Sequence, residues 1–154
     1  MKISVYSLSA SDKKVQEVIE LAKKYQCDGI EWWCREKAHI DLTDLKNSAM
    51  NVSKMMDDSG LECAGLAPYF NFNETSDYIG RIFETACILK TRNVRCHSHI
   101  FDGNESVEEL MKKQRTWLEK IVLPEAEKFD IRLNIEQHHY NICCTANACR
   151  QLVD

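Results

Sequence analysis

The sequence lacks the apolar run that a membrane-spanning helix requires. About 18 consecutive apolar residues mark such a helix, and no stretch of the chain comes near that length. The first residues, Met1–Tyr6, are too polar and too short in their apolar part for a signal peptide. We therefore expect a cytoplasmic protein with no membrane partner.

The chain also lacks a basic field. Its formal net charge is −4 and its pI is about 5.8, whereas proteins that bind nucleic acids carry clustered Lys and Arg. No nucleic-acid partner is expected. Apolar residues make up 44% of the 154 residues and charged residues 29%, which is ordinary globular usage. The length predicts one folded domain over residues 1–154.

Cysteine is plentiful, but zinc-type spacing is missing. None of the eight cysteines forms a C-x-x-C pair, and without a signal peptide disulfides are not expected. Four cysteines fall within the apolar patterns of predicted strands and helices and are interpreted as reduced, buried, small apolar residues: Cys27, Cys63, Cys87 and Cys96. The adjacent pair Cys143-Cys144 lies in a predicted loop.

Predicted strands and helices alternate five times along the chain. Alternation of this kind favours a parallel sheet with right-handed crossovers. Pro124 lacks an N–H group and is expected to kink or restart the fourth helix. The predicted strands are 2–7, 29–33, 61–67, 93–98 and 131–137, and the predicted helices are 12–26, 41–58, 76–90, 106–129 and 146–154.

Two architectures fit this alternation: a five-stranded doubly wound sheet and five units of an eight-unit (β/α)8 TIM barrel. Both faces of a doubly wound sheet are buried, so its central strands read as continuous apolar runs. Here the last predicted strand alternates Ile131, Leu133 and Ile135 with Arg132, Asn134, Glu136 and His138. No glycine-rich phosphate loop follows the first strand. We therefore predict a partial barrel with helices outside and a polar interior.

Each predicted strand ends in side chains that can carry chemistry. Parallel α/β folds place their sites at these carboxyl ends, so we predict one shared site. The residues are Tyr6-Ser7, Glu31-Trp32-Trp33, Pro68-Tyr69, Arg95-x-His97-x-His99 and Glu136-x-His138.

Glu136 is the strongest candidate for a functional residue, because a charge on the inward face of a strand is costly unless it is paired or binds a metal. Its alternative role is a structural ion pair with Arg132 or Arg95. Glu31 is predicted either to bind a hydroxylated ligand or to bond a neighbouring backbone group. His39 lies in a polar stretch and is predicted to be a surface residue.

Four segments in order resemble the xylose isomerase-like TIM barrels, also called the AP endonuclease family 2 fold. The resemblance covers the whole chain, and its most specific part is the Glu-x-His pattern of the fifth strand. The segments are Gly29-Ile30-Glu31-Trp32, Ser59-Gly60-Leu61-Glu62, Val94-Arg95-Cys96-His97 and Ile135-Glu136-Gln137-His138.

The resemblance implies a metal-dependent sugar or sugar phosphate isomerase/epimerase that acts through an enediolate. It implies that Glu136 is a metal ligand and the catalytic base. A substrate-binding role is expected for Tyr6, Glu31, Tyr69, Arg95, His97 and His138. The metal would be Mn, Mg, Zn or Co. In the family its other ligands lie on strands six to eight, so we interpret the chain as a truncated barrel in which metal binding is weak or absent.

Two alternatives stay open. One is a non-catalytic barrel fragment that only binds. The other is an AP endonuclease-like DNA-repair enzyme using His97 and Glu136 in a multi-zinc site, against which the acidic pI argues. Five βα units would leave the first and last strands as open edges, so a homo-oligomer is expected.

Overall fold

The computed structural model describes residues 1–70 and 73–153. Strands and helices alternate as predicted, and within these ranges no helix is long and apolar enough to cross a membrane. The strands are β1 (Ser4–Tyr6), β2 (Gly29–Arg35), β3 (Ile40–Asp41), β4 (Glu62–Pro68), β5 (Asn93–His97) and β6 (Arg132–Glu136). The helices are α1 (Val15–Lys24), α2 (Leu45–Ser59), α3 (Ser76–Ile88), α4 (Val107–Trp117), α5 (Leu123–Phe129) and α6 (Ala146–Val153).

The sheet has the order β1-β2-β4-β5-β6, and each neighbouring pair is parallel. These five strands are the predicted ones, so the α/β class and the parallel sheet are confirmed. The two-residue strand β3, which the sequence did not predict, pairs with the end of β2. Among the described residues no strand joins β6 to β1, which leaves the sheet open.

The two faces of the sheet differ as the alternation predicted. Ile30, Trp32 and Cys34 of β2 are fully buried, as are Val94 and Cys96 of β5. They pack into an apolar core with residues of the covering helices, among them Val18, Ile19, Val52, Ile79, Ile82 and Phe83. The intervening residues of β2 and β5 lie on the opposite, polar face, and the fold therefore presents charged side chains away from the helices.

The helix boundaries follow local hydrogen bonding. α1 begins at Val15 rather than Asp12, because Ser7–Ala10 form a short 3-10 helix and the Glu17 carboxylate accepts from the Lys14 N–H at 2.8 Å. A π-helical turn at Leu118–Val122 interrupts the fourth predicted helix, and α5 restarts next to Pro124. The predicted break is thus confirmed. The predicted end of the last helix at Asp154 lies outside the described residues.

All eight cysteines are free thiols. Cys96 is fully buried and Cys27 and Cys63 are partly buried, but Cys87 is exposed. The prediction that Cys87 is buried is wrong, because it lies on the solvent side of α3 next to the fully buried Ala86.

His39 is half-buried rather than fully exposed, which corrects the predicted surface position in part. Its Nδ1 lies 3.1 Å from the Ser7 hydroxyl, which itself accepts from the Trp33 N–H at 2.8 Å. Its Nε2 donates to the Lys13 carbonyl at 3.1 Å. The ring also contacts the Trp32 ring at its edge, with centroids 5.7 Å apart. Burial lowers the pKa of His39, although the bond to Lys13 opposes that shift.

We predict that His39 makes the free energy of unfolding decrease as the pH falls. Its folded-state pKa lies below its unfolded value of about 6.5, so the unfolded chain takes up the proton first as pH falls. The free energy of unfolding of the wild-type chain should therefore decrease between about pH 7.5 and about pH 5.5. In His39→Gln this dependence should be weaker. Urea unfolding at several pH values measures it.

The exposed His139 provides the control. His139→Gln should keep the wild-type pH dependence, because an exposed ring gains little from folding. An unchanged dependence in His39→Gln would show that the half-buried ring does not couple folding to protonation.

β6 is an open edge with a self-complementary sequence. The Arg132 N–H donates to the Arg92 carbonyl on the β5 side at 2.6 Å, so the backbone groups of Leu133 and Ile135 point to the open side. An antiparallel pair centred on Asn134 would place Leu133 opposite Ile135 of a second copy. It would also place Arg132 opposite Glu136 of that copy. This order favours pairing between two copies.

We predict that the chain self-associates through this edge at micromolar concentration. Arg132→Glu places like charges opposite each other twice in the pair, which should raise the dimer dissociation constant about tenfold. Sedimentation equilibrium measures this constant. Lys54→Glu, which makes the same change of charge at an exposed position on α2, is the control. A wild-type species of 17.9 kDa without concentration dependence would rule the dimer out.

Candidate functional site

The strand register brings the predicted site residues to one end of the sheet. Tyr6 lies beside Glu31 in the β1–β2 pair, and His97 lies beside Glu136 in the β5–β6 pair. Gly65 of β4 lies between these pairs and is the register partner of Glu31. A side chain at position 65 would begin 3.6 Å from Glu31 Cγ. Glycine therefore leaves room for Glu31 to reach across β4 towards β5.

Arg95 joins two carboxylates on the polar face. Its Nε lies 3.1 Å from Glu31 Oε1, and its Nη1 lies 2.6 Å from Glu136 Oε2. The guanidinium carbon also lies 4.3 Å from the centre of the Tyr6 ring. Of the two ion-pair partners considered for Glu136, the structure selects Arg95 rather than the exposed Arg132. The three charged groups carry a net charge of −1 when all are ionised.

His97 and the two tyrosines complete the cluster. His97 Nε2 lies 3.3 Å from Glu136 Oε2, and its ring stacks on the Tyr69 ring at 4.8 Å with a 14° angle. The hydroxyl oxygens of Tyr69 and Tyr6 lie 2.9 Å apart. The His138 ring meets the His97 ring edge-on at 5.5 Å. All seven predicted site residues therefore lie in one connected group.

Burial shapes the protonation of this group. It raises the pKa of Glu31, although Arg95 opposes the shift. It lowers the pKa of His97, against the opposing effect of Glu136. It also raises the pKa of Tyr6, to which the hydrogen bond with Tyr69 adds. Near neutral pH Tyr6 thus keeps a neutral hydroxyl group and His97 a neutral imidazole.

Two buried nitrogen atoms of the cluster have no hydrogen-bond partner among the described residues. They are Arg95 Nη2 and His138 Nδ1. An unpaired buried donor costs about 1–3 kcal/mol. A ligand oxygen bound beside Arg95 Nη2 would supply the missing hydrogen bond.

A cavity of about 170 Å³ adjoins the cluster. Sequence reasoning missed five of its residues, of which three are polar: Arg35, Ser98 and Asn141. Arg35 could have been found, because it lies four positions after Glu31 on the same face of β2. Asn141 could not, since it comes from a loop without periodicity. The walls are Arg35, Tyr69, Phe70, His97, Ser98, Ile100, His138 and Asn141.

Two other features lie apart from the cluster. β5 ends at His97, and the backbone N–H of His99 donates to Gln114 Oε1 at 2.7 Å. A larger groove of about 840 Å³ lies between residues 73–76 and α4, where Trp117 and Ile121 form part of its wall. It contains none of the predicted site residues.

The residues of this chain do not fit a complete metal centre. Glu136 Oε2 and His97 Nε2, 3.3 Å apart, are spaced like two neighbouring ligands of one ion. However, the Arg95 guanidinium already neutralises Glu136. The described residues contain no group of three His, Cys, Asp or Glu side chains that could hold a metal. We therefore assign no catalytic step to a metal.

Solved structures share this fold, whereas no protein-family model and no curated protein sequence matches the chain. The IOLI protein with a bound zinc atom gives a TM-score of 0.76 at 19% identity, over 99% of this chain and 58% of that chain. The probable 3-DHS dehydratase AsbF from Bacillus anthracis gives 0.74 at 15%, over 99% and 58%. An L-ribulose 3-epimerase gives 0.74 at 19%, over 99% and 56%.

These likenesses confirm the fold resemblance seen in the sequence. The chain has the fold of the xylose isomerase-like TIM barrels over about five βα units. It spans less than two thirds of the length of these solved proteins, 58% for the IOLI protein.

We predict that the chain binds a divalent metal weakly, because the ligands are few and Arg95 pairs with the carboxylates. Calorimetric titration with Mn²⁺ should give a dissociation constant no tighter than about 0.1 mM, as expected for few ligands. Arg95→Gln should bind Mn²⁺ more tightly, because it frees Glu31 and Glu136 from their cation. Arg81→Gln, at an exposed position on α3, is the control. Tight stoichiometric binding by the wild-type chain would contradict this assignment.

Proposed function

We propose that this chain binds a sugar and that Glu136 moves a proton at the carbon next to its carbonyl group. The observation that carries the proposal is the placement of Glu136 at the carboxyl end of β6. There its carboxylate lies between Arg95 and His97, beside the unpartnered Arg95 Nη2. The similar fold of an L-ribulose 3-epimerase supports this reaction class.

The chemistry needs a base and a group that stabilises negative charge. The Glu136 carboxylate takes the proton from the carbon, and the C–H electron pair moves towards the carbonyl oxygen to form an enediolate. Arg95 donates to that oxygen and stabilises its charge. Return of the proton from Glu136 to the former carbonyl carbon, with the neighbouring hydroxyl proton passing to the former carbonyl oxygen, gives the isomer. Delivery of a proton from water to the opposite face of the first carbon, with Glu136 losing its own proton to solvent, gives the epimer.

The remaining groups suit a polyhydroxylated ligand. Glu31 accepts hydrogen bonds from sugar hydroxyls, and the hydroxyl groups of Tyr6 and Tyr69 either donate or accept. The aromatic ring of Tyr69 offers an apolar surface to the C–H groups of the sugar. Arg95 holds Glu31 and Glu136 in fixed positions, so the site orients the ligand without a large rearrangement.

The reaction runs through Arg95 because the described residues supply only two ligand atoms for a metal. Zinc is bound in the IOLI protein, and a divalent metal that bound here would supply Lewis-acid stabilisation. In this chain Glu136 and His97 would be its ligands.

We predict that Glu136→Gln abolishes proton exchange. Incubation of D-fructose with the wild-type chain in D₂O should exchange deuterium into the carbon next to the carbonyl, followed by NMR. Loss of the general base should slow this exchange by about 10²–10⁴-fold. Glutamine keeps the size of the side chain and removes its basicity.

Glu84→Gln, at an exposed position on α3, should exchange at the wild-type rate. Exchange by Glu136→Gln at the wild-type rate would show that Glu136 is not the base. Sugar binding without exchange by the wild-type chain would instead identify a non-catalytic binding module.

A further inference from the structure

The cavity beside the cluster has one arginine in its wall that the proposed proton transfer does not use. Arg35, the last residue of β2, lines it together with His97 and His138. No aspartate or glutamate belongs to its lining. Among the described residues, no carboxylate lies within ion-pair distance of Arg35. A positive group facing an acid-free cavity favours an anionic ligand.

Arg35 is held in place by an aromatic ring. Its guanidinium carbon lies 4.4 Å from the centre of the Tyr69 ring. Tyr69 in turn stacks on His97 at 4.8 Å. The guanidinium is thus positioned by a cation–π contact without losing its hydrogen-bond donors, which keeps them free for a ligand.

A second nitrogen lines the same cavity. His138 Nδ1 is buried without a partner among the described residues. The Ser98 hydroxyl also lies in the wall, but it is already bonded to the N–H and the thiol of Cys143. A guanidinium and an imidazole from two segments of the chain suit the several oxygens of a tetrahedral oxyanion.

The size of the cavity and its distance from Glu31 agree with this ligand. About 170 Å³ is less than the roughly 300 Å³ of a pocket for a drug-sized molecule, and it suits one terminal group. Glu31 and Arg35 lie four residues apart on β2, so their α-carbons are about 13 Å apart. Several carbon atoms of a sugar can span the distance between Arg35 and the carboxylate cluster.

We propose that Arg35, together with His138, binds the phosphoryl group of a sugar phosphate whose carbonyl end lies at Glu136. This assignment rests on the proposed function for the position of the carbonyl end. It names a substrate class, phosphorylated rather than neutral sugars, and gives Arg35 the role of a specificity-determining residue.

Calorimetry with three probes tests the assignment: D-fructose 6-phosphate, D-fructose and D-glucuronate. The phosphorylated ketose should bind the wild-type chain most tightly. Arg35→Gln should weaken its binding about tenfold or more, as the loss of a charge-assisted hydrogen bond does. It should leave binding of D-fructose within about twofold. Inorganic phosphate should compete with D-fructose 6-phosphate in the wild-type chain.

Arg81→Gln is the matched control, because Arg81 also lies over a tyrosine ring, that of Tyr78, at an exposed site. It should bind all three probes as the wild-type chain does. Equal loss of the phosphorylated and neutral ketose in Arg35→Gln would overturn the assignment, as would tighter binding of D-glucuronate. Circular dichroism of each variant excludes misfolding as the cause.

Different results would overturn the phosphate site at Arg35 and the proton transfer by Glu136. Glu136→Gln should still prefer D-fructose 6-phosphate over D-fructose, since Glu136 does not line the cavity. If that preference depends on Arg35 while no proton exchange occurs, the phosphate site stands and the catalytic proposal falls. If exchange depends on Glu136 but Arg35→Gln binds D-fructose 6-phosphate as the wild type does, the phosphate site falls alone.

Discussion

The ion pairs of Arg95 with Glu31 and Glu136 hold the polar face of the sheet together. They connect strands β2, β5 and β6 across the glycine of β4. Without the guanidinium, two partly buried carboxylates would repel each other and would lose solvation with no compensation. The same cation that stabilises the pair also competes with any metal for Glu136. One residue thus decides both the architecture of the site and the kind of chemistry it supports.

The alternation of apolar and polar residues made most of the site predictable from the sequence. Arg95, His97 and Glu136 could be assigned to one face because β5 and β6 each keep a strict period of two, and parallel order then brings their carboxyl ends together. Arg35 obeys the same rule, but the predicted strand ends at Trp33, two residues before it. The burial of His39 could not be predicted, since its partners Ser7 and Lys13 come from a distant turn.

Chain geometry explains the remaining differences. The position of Asn141 depends on a loop whose backbone pairs with residues after β5, and no sequence period describes such contacts. The choice of Arg95 over Arg132 as the partner of Glu136 depends on distance along the strand. Strand alternation places both arginines on the polar face, but Arg132 lies four residues, or about 13 Å, before Glu136, whereas Arg95 lies on the neighbouring strand with carboxylates on both sides. Its neighbours on β2 and β6 decide the pairing.

The openness of the sheet links the site to assembly. The side chains of Glu31 and Glu136 are 25% and 30% exposed, so water still screens their interaction with Arg95. Any surface that covered the polar face would remove this water and strengthen each charge interaction in the cluster. Arg95 would then stabilise a developing oxyanion more strongly, while an unpaired carboxylate would become more costly. Covering the polar face would therefore change the electrostatics of the site.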